Sequence, residues 1–258
     1  MELKQWVTVA DAAAHLGRIL EEDVSESDIY QLALDGRLRL SVDLVNHARA
    51  NLGARLSMEE AKLTIVPSIN WQRTKPAQIK EVRETLRAEL PATSSNQEKL
   101  AFITKNRHRF EAQELVAFFN GFELPDGTIL QFDEEVRTIS GIWDLPMLAS
   151  EKLDIAYRFQ QLIGGPEVSL VNLEGTLLVN FDGTTYARLV GRLAPDKPPT
   201  PAEGKPPSYC NPVDYYPIGT LPEDSNIIVR TSSIREFIAS LGGGDAPLAT
   251  RERTNLLR

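Results

Sequence analysis

The side chains best suited to chemistry in this 258-residue chain are basic, and they are concentrated in one stretch. Residues 62–113 carry 10 Lys and Arg against 5 Asp and Glu, although the whole chain has a net charge of -8. The cations form a dense cluster and a looser one upstream: Lys105, Arg107 and Arg109, and then Arg73 and Lys75. Because phosphates attract cations, this basic island is a candidate contact surface for nucleic acid. A solvated helix face is the interpretation we favour for the cluster itself, since charge runs of this length are common on surfaces.

Residue types that serve catalysis or metal binding are too scattered to form a recognisable site. His15, His47 and His108 lack the spacing of metal ligands, and Cys210 is the single cysteine, which excludes an internal disulfide or a thiolate zinc cluster. The acidic run 133–135 has oxygens for a hard cation, but three adjacent acids between strands are more often a solvated turn, which is the interpretation we favour. The sequence therefore predicts a protein that is not an enzyme, with no cofactor and no metal site.

The N-terminal stretch has clear helix boundaries. Thr8 is placed to cap a first helix that Gly17 ends, and Ser25 with Asp28 forms a capping box for a second helix that Gly36 ends. Apolar and polar residues then alternate as in a half-buried strand.

These residues carry a resemblance to a known family. The run 7–17, followed by 25–30 and by 35–38, resembles the helix-turn-helix of the MerR and excisionase-like families. The resemblance implies a small DNA-reading module, and Arg37 and Arg39 at its strand join the candidate nucleic-acid-binding residues. The second helix is acidic, however, and base readout uses mainly Arg, Lys, Asn and Gln. We therefore favour a helix pair used for packing or protein contact, which does not read bases by itself.

The centre of the chain has the pattern of an α+β domain. Turn signals at 125–127 and 182–183 each separate two apolar runs, and between them a helix begins at Ser150 and ends at Gly164. The predicted fold class is α+β: a small helix-turn-helix-like N-terminal module, followed by an α+β domain built on antiparallel hairpins and a central helix.

Five segments follow from these patterns. They are a helix-turn-helix-like module (1–56), a mainly helical basic segment (57–119), a hairpin-helix-hairpin core (120–193), a Pro-rich linker or long loop (194–217) and a C-terminal strand-helix unit (218–258). The pattern from Thr250 predicts a further helix that stops before its apolar face repeats. This predicts either a missing downstream region or a protein partner at the C-terminus.

The segments 141–146, 164–168, 229–232 and 250–257 together resemble uncharacterised bacterial proteins of prophages and other mobile elements. The predicted function is a non-catalytic, DNA-associated regulatory or adaptor protein of a mobile element, with DNA bound through the basic island. One alternative is a protein-interaction or assembly module, in a phage or defence system, without nucleic-acid contact. Another is an enzyme of unrecognised type. The chain shows no signal peptide and no apolar span, which predicts a cytoplasmic protein without membrane contact. The oligomeric state is left open.

Overall fold

A computed structural model describes residues 5–67, 84–86, 88–91, 93–106, 115–119, 121–170, 174–192 and 215–242. The protein has a mixed α+β fold with a large antiparallel sheet. Its chain divides into two compact units, which are described separately below. Unit 1 comprises Met1–Leu52 and Asp133–Arg258, and unit 2 comprises Gly53–Phe132.

The described elements follow one another along the chain with strands and helices interleaved. In order they are β1 (Trp6–Thr8), α1 (Val9–Leu20), α2 (Glu26–Leu34), β2 (Ser41–Leu56), β3 (Leu63–Pro67), α3 (Asn96–Asn106), β4 (Leu115–Phe119), β5 (Gly121–Glu123), β6 (Ile129–Asp144), α4 (Ser150–Ile163), β7 (Leu177–Val179), β8 (Thr185–Arg192), β9 (Tyr215–Pro217), β10 (Asn226–Arg230) and α5 (Thr231–Gly242).

The sheet of unit 1 does not follow the order of the chain. Its strand order is β1-β10-β2-β6-β7-β8-β9, and β2 also pairs with β8. The last of its strands in sequence, β10, thus lies between the first two: Val7 is opposite Val229, and Ile228 is opposite Ser41. A bridge between Asp144 and Val179 joins β6 to β7. The ends of β2, β6 and β10 consequently meet in one place.

The predicted caps of the first two helices are confirmed, but one predicted helix end is wrong. The Thr8 hydroxyl accepts the Asp11 N–H, and Ser25 forms the full capping box with Asp28. Helix α1 does not stop at Gly17; it continues to Leu20, and Glu21 takes the left-handed conformation (φ 57°) while its N–H bonds to the Gly17 carbonyl. Gly17 instead allows the backbone after α1 to pass close to the helix, because a Cβ at this position would lie 2.9 Å from the Glu22 carbonyl oxygen.

Two expectations about the central hairpins are also corrected. The acidic run 133–135 is not a turn, since β6 continues through it as one strand with the three acids exposed. Arg137 pairs with Glu135 across 2.7 Å, which offsets part of the acidic charge. Ser150 is the first helical residue of α4 instead of its cap, and the buried face of this helix is formed by Ser150, Glu151, Asp154 and Ile155.

The core of unit 1 lies where helices cover the sheet. Its fully buried large side chains come from α1, α2, α4 and several strands, and they include Leu16, Ile29, Leu32, Ile155, Leu178, Leu189 and Ile228. Helix α2 packs against α1 and α4, while α5 contacts β10. No helix in the described part of the chain is long and apolar enough to cross a membrane.

Unit 2 has a small core of its own. Leu86 and Ile103 are buried in it, with apolar side chains of β3, β4 and α3 around them. The buried Asn96 amide donates to the carbonyl oxygens of Met58 (2.6 Å) and Ala61 (2.7 Å), which fixes the start of α3. The prediction of a mainly helical segment at 57–119 thus omits the β3–β4 pair. Most of the predicted linker 194–217, and the predicted helix after Thr250, lie outside the described residues.

Candidate functional site

A buried carboxylate, Asp144, joins three strands at the edge of a cavity in unit 1. The Asp144 side chain is 1% exposed, and its Oδ1 accepts hydrogen bonds from Ser41 Oγ at 2.6 Å and from Arg230 Nε at 2.7 Å. The Arg230 Nη2 also donates to the Ile142 carbonyl oxygen at 3.0 Å. Because these residues lie at the ends of β2, β6 and β10, the cluster is held by the sheet itself.

Arg39 extends this cluster towards solvent. Its guanidinium lies between two carboxylates, with Nη1 3.7 Å from Asp144 Oδ2 and Nη2 3.9 Å from Glu236 Oε2. Both distances exceed that of a good hydrogen bond. The Arg39 side chain is 49% exposed. Within the described residues, Asp144 Oδ2 has no hydrogen-bond partner. Within the described part of the chain, Arg39 is therefore oriented by charge and makes no short hydrogen bond to either carboxylate.

The Arg39 cavity, as we name it, opens beside this guanidinium and has a volume of about 370 Å³. One part of its wall is polar and includes Arg37, Arg39, Ser233, Glu236 and Ser240. The rest is largely apolar and includes Leu38, Leu145, Pro146, Met147, Val179 and Phe237. The Arg37 guanidinium lies over the Phe237 ring, 5.5 Å from its centroid. A few polar groups converging on an apolar wall are typical of a binding pocket.

The loop from Leu145 to Ala149 forms one wall of the cavity and carries backbone strain. Met147 has a φ of 57°, in the left-handed region that a long side chain rarely adopts. The following residue, Leu148, is 41% exposed despite being apolar. Strained residues persist where the surrounding structure determines them, and they concentrate at functional sites.

Glu151 is the anchor of this loop. Its carboxylate is fully buried and accepts three backbone N–H groups: those of Leu148 (2.6 Å), Ala149 (3.0 Å) and Leu177 (2.9 Å). Burial raises the pKa of Glu151 above its ordinary value of 4.5, and the N–H hydrogen bonds oppose that rise. One side chain thus joins the loop, the start of α4 and β7.

The polar groups of the cluster are largely bonded to one another. Ser41 is fully buried, and its hydroxyl donates to Asp144, so it is not accessible to a substrate. The acceptor Oδ1 of Asp144 is already occupied by two donors. The half-exposed Arg39 guanidinium remains accessible beside apolar surface.

The structure brings together two of the seven predicted nucleic-acid-binding residues. Arg37 and Arg39 both line the Arg39 cavity, whereas Lys105 lies in the last turn of α3 in unit 2. The others are outside the described residues: Arg73, Lys75, Arg107 and Arg109. His108 and Cys210 are outside them as well. In the described ranges no group of His, Cys, Asp or Glu has the arrangement of a metal site.

Sequence reasoning missed Asp144, Arg230, Ser41 and Glu236. Their partners are far apart in sequence: Ser41 and Asp144 are 103 positions apart, and Asp144 and Arg230 are 86 positions apart. The sequence did contain one indication of this site. Apolar and polar residues alternate around Arg39, which predicts that Arg39 lies beside a buried strand. Nothing in the sequence indicated which carboxylate would face it.

Comparison with known proteins adds nothing to this geometry, since no family model, no curated protein and no solved structure matches the chain.

Proposed function

We propose that this chain is a non-catalytic adaptor that binds a partner protein through the Arg39 cavity. The observation that carries the proposal is the position of the Arg39 guanidinium, half exposed at the edge of an apolar wall and oriented by Asp144 and Glu236. Arginine beside apolar and aromatic surface is enriched where proteins recognise each other. The exposed Leu148 next to this wall adds apolar contact area.

Protein contact fits unit 1 better than DNA contact does. Arg39 lies between two acids, and phosphate contacts depend on cations that are not already neutralised. The helix-turn-helix interpretation of α1 and α2 stays a prediction. It is weakened because α2 packs against α4 and bears acidic residues, Glu26 and Asp28, in its first turn. The DNA prediction now rests on the 62–113 island.

The proposal is tested by site-specific photo-cross-linking in the host cells. A cross-linking amino acid at Ser240, which lines the cavity, should yield a covalent adduct with a protein. The same amino acid at Lys152, exposed on α4, is the matched control and should yield none. Adding Arg39→Glu should abolish the Ser240 adduct. Equal adducts at Ser240 and Lys152, or an adduct that Arg39→Glu leaves unchanged, would contradict the proposal.

A further inference from the structure

Much of the apolar wall of the Arg39 cavity comes from two segments, the loop from Leu145 to Ala149 and strand β7. Pro146 and Met147 belong to the loop, and Val179 belongs to β7. Dispersion attraction between apolar groups falls steeply when a gap of less than an ångström opens between them. A partner that packs against this wall therefore needs both segments in fixed positions.

The two ends of the loop are fixed by backbone hydrogen bonds. The Leu145 N–H donates to the Leu40 carbonyl oxygen at 2.9 Å. The Ser150 N–H donates to the Gly175 carbonyl oxygen at 3.2 Å. Between these points lies Met147, whose left-handed φ of 57° is strained for a long side chain and favours a change of conformation. The middle of the loop therefore needs a further interaction to keep its shape.

Glu151 provides this interaction and binds β7 at the same time. Its Oε1 accepts the N–H groups of Leu148 and Ala149, and its Oε2 accepts the Leu177 N–H in the strand that carries Val179. Hydrogen bonds to a carboxylate are stronger than those between neutral groups, and burial strengthens them further. One buried side chain thus fixes both segments of the apolar wall.

We propose that Glu151 is a positioning residue of the Arg39 cavity, which keeps the loop and β7 in the shape that the partner protein binds. This inference rests on the proposed function, and it names a residue on which that function depends. Glu151 acts through three backbone N–H groups and, being fully buried, does not touch the partner. Without the carboxylate, the middle of the loop relaxes from its strained conformation while the fold of unit 1 is kept.

The experiment compares two buried acids of α4, Glu151 and Asp154. Asp154 is the matched control, because its Oδ2 accepts the N–H of Leu221 (3.1 Å), which belongs to neither the loop nor β7. In the full-length chain, each acid is replaced by an apolar residue of similar length, as Glu151→Met or Asp154→Leu. Both replacements leave a buried N–H without its acceptor, so a general loss of stability affects both variants.

Hydrogen exchange of single amides, followed by NMR, measures the loop directly. In Glu151→Met, the amides of Leu148, Ala149 and Leu177 should exchange at least about tenfold faster than in the wild type, since each loses a bond to a charged acceptor. In Asp154→Leu, the same amides should change by less than about twofold, because their acceptor is intact. Equal acceleration of these amides in the two variants would overturn the proposal.

The second readout is the cross-link between Ser240 and the partner protein. At equal amounts of folded chain, its yield should fall at least about tenfold in Glu151→Met and stay within about twofold in Asp154→Leu. Faster loop exchange with an unchanged yield would overturn the positioning role and leave the proposed function standing. If the wild type gives no Ser240 adduct, the proposed function is contradicted and this inference falls with it.

A second background covers the case in which Glu151→Met does not fold. Met147→Gly removes the backbone strain, because glycine adopts a positive φ readily. The exchange comparison of Glu151→Met with Asp154→Leu is repeated in this background, and the difference at Leu148 and Ala149 should persist. If Glu151→Met unfolds with and without Met147→Gly, Glu151 serves the fold as a whole and the positioning role is overturned.

Discussion

Asp144 and Arg230 form a 2.7 Å hydrogen-bonded ion pair between the last residues of β6 and β10, 86 positions apart in the chain. The Asp144 carboxylate is almost fully buried, and the Arg230 side chain is only 15% exposed. Arg230 also lies over the Phe181 ring, 5.0 Å from its centroid. A pair of this kind is costly to disrupt from one side, because the remaining charge stays buried without its counter-charge.

Replacing Asp144 with Asn should therefore destabilise the chain strongly. The side chain keeps its shape but loses the charge that balances Arg230 and Arg39. We expect the free energy of unfolding to fall by about 3 kcal/mol, measured by urea denaturation followed by circular dichroism. The control is Asp133→Asn on the same strand, where the acid is exposed and the loss should stay below about 1 kcal/mol. Equal losses in the two variants would contradict this account of the cluster.

The buried Glu151 should give the stability a distinctive pH dependence. Because burial raises its pKa above 4.5, the folded chain holds the proton more tightly than the unfolded chain does. Its contribution to the free energy of unfolding is then full below pH 4.5 and is lost as the pH rises through the raised pKa. The difference in unfolding free energy between the wild type and Glu151→Gln should shrink over that window.

Asp182 is a control, because its contribution to stability should change with pH in the opposite direction to that of Glu151. Hydrogen bonds from Thr184 lower the pKa of Asp182 below 3.8, so its contribution is present above that pH and is lost as the pH falls through the lowered pKa. The difference between the wild type and Asp182→Asn should therefore grow as the pH rises. If the Glu151→Gln difference grows with pH in the same way, the buried carboxylate does not titrate as described.

Alanine substitutions at two glycines should distinguish the cost of backbone strain from the cost of steric overlap. Gly175 and Gly183 both have positive φ, at 84° and 76°. A Cβ at Gly183 would meet nothing within 4 Å, whereas one at Gly175 would lie 2.6 Å from Pro217 Cβ. Gly183→Ala should cost only the strain, about 1 kcal/mol, and Gly175→Ala should cost at least about 2 kcal/mol more. Thermal melting of both variants checks the order, and a reversed order would refute it.

The prediction that DNA is bound through the basic island has a direct test. Affinity of the full chain for mixed-sequence duplex DNA should fall with salt, and replacing Lys105, Arg107 and Arg109 with Ala should reduce the slope by about 3. The double variant Arg37→Ala and Arg39→Ala should keep the wild-type slope, since we assign these residues to a protein partner. An unchanged slope in the triple variant would exclude the cluster from DNA contact.

Local patterns in the sequence were sufficient to predict several helix caps and turns. The caps at Thr8 and Ser25 depend on residues three positions apart, and the turn at Asp182-Gly183 depends on adjacent ones. Such contacts form within a few residues, so their pattern is visible in the chain. The α+β class follows from the same patterns, because strands and helices have different periods.

The remaining features depend on contacts over long distances in sequence. Helix α4 buries Glu151, an acid, and this side chain accepts a hydrogen bond from the Leu177 N–H, 26 positions away. The three acids at 133–135 have the composition of a turn, and only the pairing of β6 with strands distant in sequence makes them part of one strand. The Arg39 cavity draws residues from α2, the β6–α4 loop and α5, which no local pattern brings together.

The position of β10 between β1 and β2 affects how the chain folds during synthesis on the ribosome. Residues 6–8 leave the ribosome well before their hydrogen-bonding partners at 228–230, which follow only after nearly all of the described chain. At 5–20 residues per second, the delay is roughly 10 to 40 s. Throughout that interval, the edge of β1 and the β10-facing edge of Ser41–Asp43 are unpaired. Open edges of this kind can pair with other chains, so the nascent protein should depend on chaperones until β10 arrives.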